Sequence, residues 1–398
     1  MELKSSALFS KINKKRLSTL WRDERFITVM VQFIFVLLIV ILCAFMLKNL
    51  QQTWRKQGSS LGFRFLTQNT GFEAAQTIIP ITRTSPVYKT LLAGLVNTIY
   101  VSLLGIVFST VLGIIIGIAY LSKNFLIRKL AWLYIEVFRN LPLLLIIIAT
   151  YYMLIFSLPK FDSPVIWFDS IYLTNRGVRF PSLVSSKTTT AFILCLVILI
   201  VLMIWIGRVL SRKFEWDSFI VFMIGLGIFM GMAICTWNFF PIPPYSVSIP
   251  FREGFSYVGG EEQTPEFIAL LVGLVVGTAP FIADIVRSGI ANVPKGQTEV
   301  AQALGLSGYK TMRFIVFPQA LRTMIPPLAS NYLSLTKNTT LAAGVAFTEL
   351  FGISRILINH TGRAIEIMGL SMVVYMILSL LTAGLMNLYN KKTQIAER

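Results

Sequence analysis

Acidic side chains, histidine and cysteine are scarce in this 398-residue chain. Only 18 residues are Asp or Glu against 36 Lys or Arg, a formal net charge of +18, and charged residues make up 14% of the chain. An ordinary globular domain carries about a quarter. His360 is the only histidine, which argues against a histidine-built metal site or catalytic triad. Cys43, Cys195 and Cys235 fall in apolar runs, without disulfide or metal spacing, and read as core thiols. No metal site is expected. There is no Gly-Lys dipeptide, and a phosphate-binding loop ending in Gly-Lys-Ser/Thr needs one. No cluster of Ser/His, His/Glu or paired Asp suggests an intramembrane enzyme. The alternating pattern of an outer-membrane barrel and the 20–50-residue periods of a solenoid are also missing.

What the chain does have is apolar length. It is 55% hydrophobic, with a mean hydropathy of +0.71. Several apolar runs reach about 20 residues, enough for a helix to cross roughly 30 Å of hydrocarbon. The expected fold is all-α, a polytopic membrane protein with about eight transmembrane helices. The spans fall near Ile27–Leu47, Leu91–Leu121, Leu130–Phe156, Ala191–Ile206, Phe219–Cys235, Pro265–Val286, Ile325–Ala346 and Ile365–Leu388.

The positive charge follows that topology rather than a nucleic acid. Basic residues gather in short alternating loops: Lys4 to Arg25, then Lys123, Arg128 and Lys129, then Arg208, Arg212 and Lys213, and finally Lys391, Lys392 and Arg398. The positive-inside rule places all of these, and both termini, in the cytoplasm. A cleaved signal peptide has a shorter apolar core than Ile27–Leu47, so the first span is expected to stay. Basic residues in the longer outer loops, such as Arg55, Arg83 and Arg179, obey the rule less well.

One stretch breaks the hydrophobic pattern. Gly296 to Pro318, GQTEVAQALGLSGYKTMRFIVFP, is polar yet keeps apolar positions at helical spacing. Thr298 is an expected N-cap, with Glu299 in the first turn where it complements the helix dipole. Val300, Ala301, Ala303 and Leu304 make a short apolar face. Gly305 suits the left-handed position that ends a helix. Ser307 can cap a second helix from Gly308 to about Phe317, and Pro318 breaks that helix or its successor. Two readings compete. A helix pair resting on lipid headgroups normally carries Lys or Arg on its polar face, yet none lies between Gly296 and Gly308. Lys310 and Arg313 in the second helix can face lipid phosphates. Small apolar side chains beside one carboxylate suit a protein groove better.

The pattern Glu299-Val300-Ala301, Gly305, Ile315 and Pro318 resembles the EAA loop of ABC importer permeases. Val300 replaces the first alanine and Phe317 the usual leucine before proline. The likeness extends to Thr98, Ser102, Gly113 and Gly117; to YIEVFRNLPLL at 134–144; and to FIADIVRSGI at 281–290, where Asp284 stands in place of a more usual glutamate. PQALR at 318–322, Pro326-Pro327 and KNTTL at 337–341 complete it. The match covers most of residues 89–390 and is similar to the polar amino acid type, with the general L-amino acid subtype sharing the extra helix pair.

That resemblance implies a type I importer permease fold. Its parts are a basic N-terminus, first helix and outer loop (1–88), a permease domain (89–390) with an inserted helix pair at about 190–237 and the EAA loop at 296–318, and a cytoplasmic tail (391–398). It implies a multi-pass protein of the bacterial inner membrane that moves L-amino acids and is not itself an enzyme. The chain carries no cofactor; ATP and Mg belong to partner ATPase subunits. The other implied partners are a second permease subunit, expected to be a related chain, a periplasmic amino acid-binding protein and the lipid bilayer. Glu299, Val300, Ala301, Leu304, Gly305 and Pro318 correspond to the ATPase-coupling loop.

Ionisable groups at membrane depth are costly and are site candidates. Glu136 and Arg139, three apart, can pair; an ion pair near the inner leaflet and a substrate contact both remain open. Pro142 follows and kinks or restarts the helix. Asp284 and Arg287 share the same spacing and read as structural or coupling groups. Lys337 lies among Asn338, Thr339 and Thr340, and Glu349 follows nearer the outer face. A zwitterionic amino acid needs a cation and an acceptor, so Lys337, Glu349, Asn97 and Thr98 are pathway candidates. The alternative class is a channel or ion-driven carrier, which needs broken helices in both halves.

Overall fold

In the computed structural model, the described residues are 24–56, 62–74, 76–214, 218–239, 242–254 and 256–393. The basic residues from Lys4 to Arg22, the residues 240–241 opening the Pro-rich outer loop, and 394–398 with Arg398 lie outside them. The chain divides into two compact units, Met1–Leu66 and Thr67–Arg398. The first unit holds α1 (Glu24–Lys56), whose stretch Ile27–Asn49 is long and apolar enough to cross a membrane.

The helices of the second unit are α2 (Val87–Tyr120), α3 (Phe125–Asn140), α4 (Leu143–Ser157), α5 (Thr189–Phe214), α6 (Ser218–Phe239), α7 (Pro265–Ala291), α8 (Lys295–Ala303), α9 (Gly308–Thr311), α10 (Phe317–Asn338), α11 (Leu350–Thr361) and α12 (Ala364–Thr393). Local chemistry sets their ends. Thr264 caps α7, its hydroxyl accepting from Phe267 N at 3.4 Å, with Pro265 at the start of the helix and Glu266 in the first turn. Asn124 caps α3 through Leu126 N and Ile127 N.

Three expectations change. The third span is not one helix: α3 and α4 meet at Leu141-Pro142 with a bend of 106°. Proline disfavours the helical conformation for the residue before it, and Leu141 is extended (φ −88°, ψ 137°). The seventh span is displaced. α10 ends at Asn338, and a 3-10 turn, Thr339–Gly344, replaces its expected last two turns. The count of about eight spans is not confirmed. By length and composition, four helices among the described residues qualify, or five with the bent pair. The apolar parts of α5 and α6 are shorter, Thr189–Met203 and Leu226–Trp237. α10 carries Arg322, Lys337 and three prolines.

Nor is the fold wholly helical. Eight short strands occupy the segments on either side of α5 and α6. β1 (Val165–Trp167), β2 (Ile171–Thr174), β3 (Gly177–Phe180) and β8 (Glu261–Gln263) form an antiparallel sheet in the order β1-β2-β3-β8. β4 (Ser182–Ser185) pairs β5 (Tyr245–Ser248), and β6 (Phe251–Glu253) pairs β7 (Ser256–Val258). The β3–β8 and β4–β5 pairings join segments separated by the whole inserted helix pair. An Arg179–Glu262 ion pair and the Tyr257 hydroxyl donating to Phe161 O (3.1 Å) reinforce the seam.

α2 and α7 form the centre. They run the same way: Gly94 near the start of α2 lies against Leu350 and Ile353, while Gly113 and Gly117 lie against Ile282 and Val286. A Cβ on Gly113 would sit 2.6 Å from Ile282 Cβ, so only glycine permits this approach. Val101, Ile147, Phe267, Leu270, Leu274, Ala342, Val345 and Phe347 make the main core. Ile282, Val286, Ala320 and Met324 bind α7 to α10 at the other end.

Candidate functional site

α8 begins at Lys295, after Pro294, so Thr298 lies inside the helix rather than at its cap. Pro294 is extended (φ −56°, ψ 133°) and cannot donate, which makes it the boundary. The far end is closed by a paired hydrogen-bond motif. Gly305 N donates to Gln302 O (2.9 Å) and Leu306 N to Ala301 O (3.0 Å), with Gly305 left-handed at φ +77°. The two ends orient the helix faces. Ala301 is buried against the following turn, while Val300 (61% exposed) and Leu304 (75%), one turn apart, face outward with Glu299 beside them.

Ser307 caps α9, its hydroxyl accepting from Lys310 N (3.5 Å). The second loop helix does not stop at Pro318. A π turn, Met312–Val316, connects α9 to α10 without a break. Pro318 lacks the N–H that would bond Phe314 O, and the ladder widens instead, with Phe317 N donating to Met312 O. Tyr309 and Phe314 are exposed here, and Gln319 reaches back to Gln297 (3.3 Å). The second helix of the loop thus runs without a break into α10.

The expected Glu136–Arg139 pair does not form. Glu136 accepts from Asn140 Nδ2 (3.2 Å), while Arg139 crosses from α3 to α7 and reaches Asp284 at 3.5 Å. Asp284 also binds Arg287 through Nε (3.1 Å) and Nη2 (2.8 Å). One carboxylate therefore holds two guanidinium groups, and Arg287 lies over the Tyr120 ring at 5.1 Å. The 106° bend turns α3 back toward α7 and places Arg139 there.

Asn97, Thr98 and Glu349 come together, fully buried. Asn97 Nδ2 donates to Gln76 O (2.7 Å) and Thr348 O (2.8 Å), and its Oδ1 accepts from Ile78 N. Thr98 accepts from Leu350 N (3.1 Å). Glu349 caps α11, accepting from Gly352 N (2.6 Å) and Phe351 N (2.8 Å), and Tyr375 O–H donates to it at 2.6 Å. Lys337 sits exposed in the last turn of α10, where its charge suits the helix dipole. No hydrogen bond or ion pair among the described residues joins it to Glu349.

Sequence reasoning missed one feature. Asn331, Ser334 and Asn338 line a cavity of about 320 Å³, opposite Leu141, Thr278 and Phe281. Their i, i+3, i+7 spacing puts them on one face of α10, a signal legible in the sequence. The cavity lies beside the break between α3 and α4.

Fold and site together define a multi-spanning helical membrane protein that carries a folded loop with an exposed apolar face. The chain belongs to the family described as binding-protein-dependent transport system inner membrane component, which matches residues 109–395. It is 37% identical to the general L-amino acid transport system permease protein AapQ of Rhizobium johnstonii, over 94% of each chain. It is 38% identical to the putative amino-acid ABC transporter permease protein YhdX of Escherichia coli K12, over 92% of this chain and 94% of that one. The glutamate/glutamine/aspartate/asparagine transport system permease protein BztB of Rhodobacter capsulatus is 36% identical over 96% and 97%. A solved amino acid ABC transporter with histidines aligns with 77% of this chain and 94% of its own at 18% identity, with a TM-score of 0.45. Family and apolar helices make this a multi-pass inner-membrane transport component.

Proposed function

We propose that this chain is the permease subunit of an ATP-driven importer that carries L-amino acids across the inner membrane. The observation that carries the coupling half of this reading is the outward face of α8. Val300 and Leu304 are exposed apolar side chains at a helix closed at both ends and joined through the Gly305 turn to α9, which runs on into α10. Exposed apolar groups on a rigid element suit a protein groove. The substrate half is supported by three relatives, each named for amino acid transport.

The driver is expected on separate ATPase subunits, which bind ATP and Mg. α8 docks on them through Glu299, Val300, Leu304 and the turn at Gly305, while Ala301 and Pro318 shape the loop from within. ATP-driven closure then moves α8 and α10 as a rigid body and switches the pathway between its two openings. The Arg139–Asp284–Arg287 group braces the ends of α3 and α7 near that loop. A second, related permease chain completes the pathway, and a periplasmic binding protein delivers substrate on the strand-bearing side. Both termini then lie in the cytoplasm, with 89–390 as the permease domain and α5–α6 as an insertion.

Proteoliposomes holding the full complex test this. Wild type should take up L-amino acids only with ATP. Glu299→Arg, and Gly305→Val, which forces a β-branched residue into left-handed backbone, should each lower uptake more than about tenfold, a loss of roughly 1.4 kcal/mol of coupling or more. Membrane insertion should be unchanged. Normal ATP-dependent uptake in both variants removes the coupling role. An ion-driven carrier needs inverted repeats or broken helices in both halves, and one broken pair, α3–α4, is present among the described residues; uptake driven by an ion gradient without any ATPase would support that reading instead.

A further inference from the structure

A second cavity, of about 230 Å³, lies between α11 and the turn that precedes it. Two polar side chains one turn apart on α11, Arg355 and Asn359, stand on its wall, and Ala343, Ala346 and Thr348 form the other side. The opposite face of α11 is buried through Ile353 and Leu357, so the helix cannot rotate to remove Arg355 from the cavity. The rim is also fixed. Glu349 caps the helix, Asn97 holds Thr348 O, and the Thr348 hydroxyl donates to Gln76 O at 3.0 Å. Ala346 is left-handed (φ 58°), which costs a residue with a Cβ roughly 1–2 kcal/mol. Such strain persists only where the surroundings hold it, and often at ligand sites.

Arg139, Arg287 and Arg363 each hold a carboxylate. Among the described residues, Arg355 has neither an ion pair nor a hydrogen bond. The nearest acid on its own element, Glu349, already accepts from Phe351, Gly352 and Tyr375. Arg355 and Asn359 are both exposed at the open side of the cavity, so the guanidinium meets water or an anionic ligand there. Its planar fork matches the two oxygens of a carboxylate, and the Asn359 amide offers both a donor and an acceptor. The volume is below the roughly 300–1,000 Å³ of drug-sized ligand sites, which limits the occupant to a small molecule. α11 ends beside Phe72, whose ring meets His360 at 5.0 Å, so the cavity belongs to the half where α2 and α7 begin.

We propose that Arg355 and Asn359 form a binding site for the α-carboxylate of the transported amino acid on its way from the strand-bearing side. This rests on the reading of the chain as an amino acid permease. The guanidinium takes the carboxylate oxygens, and the Asn359 carbonyl oxygen accepts from the ammonium. A lipid phosphate offers the same anionic oxygens, so the test separates the two.

Thiol labelling in the purified complex tests the site without relying on transport. Cys43, Cys195 and Cys235 are replaced by serine. Ile356→Cys and, separately, Ala343→Cys, both on the cavity lining and outside the proposed ligand contacts, are labelled with a charged maleimide in neutral detergent. L-glutamate, L-glutamine and L-leucine are the probes, each beside its α-carboxamide analogue. At about ten times its Kd, a bound amino acid should slow labelling about tenfold, because labelling follows the unoccupied fraction. The carboxamides should protect far less. Protection at Ala343→Cys should vanish with Arg355→Met and return in part with Arg355→Lys, which also shows that the altered protein is folded. Labelling at both positions that no amino acid slows overturns the site. So does equal protection by the carboxamides, or protection by phosphatidylglycerol alone. If wild type shows no ATP-dependent amino acid uptake, the failure belongs to the functional reading; if uptake is normal but labelling is unprotected, it belongs to this site alone.

Discussion

At the scale of single residues, the buried amide of Asn97 binds three backbone groups from two separate segments. Asn97→Ala strands those groups, and each buried unsatisfied group costs about 1–3 kcal/mol. The expected result is a clear fall in the melting temperature of the purified protein in detergent; an unchanged melt excludes this bracing role. Thr110→Val removes a hydroxyl that meets Tyr332 (2.9 Å) and donates to Ile106 O (2.6 Å) within its own helix, strands no distant backbone group, and should cost less. Single-residue signals in the sequence were legible where the cause is local. Gly305 takes the left-handed turn and Ser307 caps α9, as their chemistry implies. Thr298 failed as a cap because Pro294, four residues earlier, had already set the boundary. Glu136 and Arg139 have the right spacing, yet Asp284, 145 residues away, takes Arg139.

At the scale of elements, the contact of α2 with α7 depends on glycine. Gly113→Ala puts a Cβ 2.6 Å from Ile282 Cβ and Cγ2, and this overpacking should cost about 1–3 kcal/mol. Gly384→Ala in α12 meets nothing within 4 Å and should be neutral, or stabilise by about 0.5–1 kcal/mol. Thermal melts of the two variants check the contrast; equal effects mean that the close approach is not what holds this pair. Proline acts differently in the two places where it interrupts apolar helix. At Pro142 the chain bends by 106°, because Leu141 has left the helical conformation. At Pro318 the helix continues, because the π turn before it absorbs the missing donor. The sequence marks both prolines, but neighbouring elements choose between a bend and a π turn.

At the scale of the whole molecule, the expected orientation makes a direct prediction. Alkaline phosphatase fused after Arg398 should be inactive, and a fluorescent protein there should fluoresce; active phosphatase reverses the proposed topology. Strand pairing across the inserted α5–α6 pair was invisible in the sequence. β3 meets β8, and β4 meets β5, over separations that no local pattern encodes. An all-α expectation followed from apolar periodicity, which reports helices well and short polar strands of three or four residues poorly.

Composition and pattern alone pointed to a helical membrane protein with a polar, helix-forming interruption at 296–318. Those conclusions rest on burial cost and helix period, which act residue by residue along the chain. Tertiary structure decided which face of α8 points outward, which carboxylate each arginine holds, and that Asn97, Thr98 and Glu349 meet in one buried seam. It also placed Arg355 on a cavity wall, without an ion pair among the described residues. These depend on which distant segments pack together, and side-chain spacing along one helix carries no record of its neighbours.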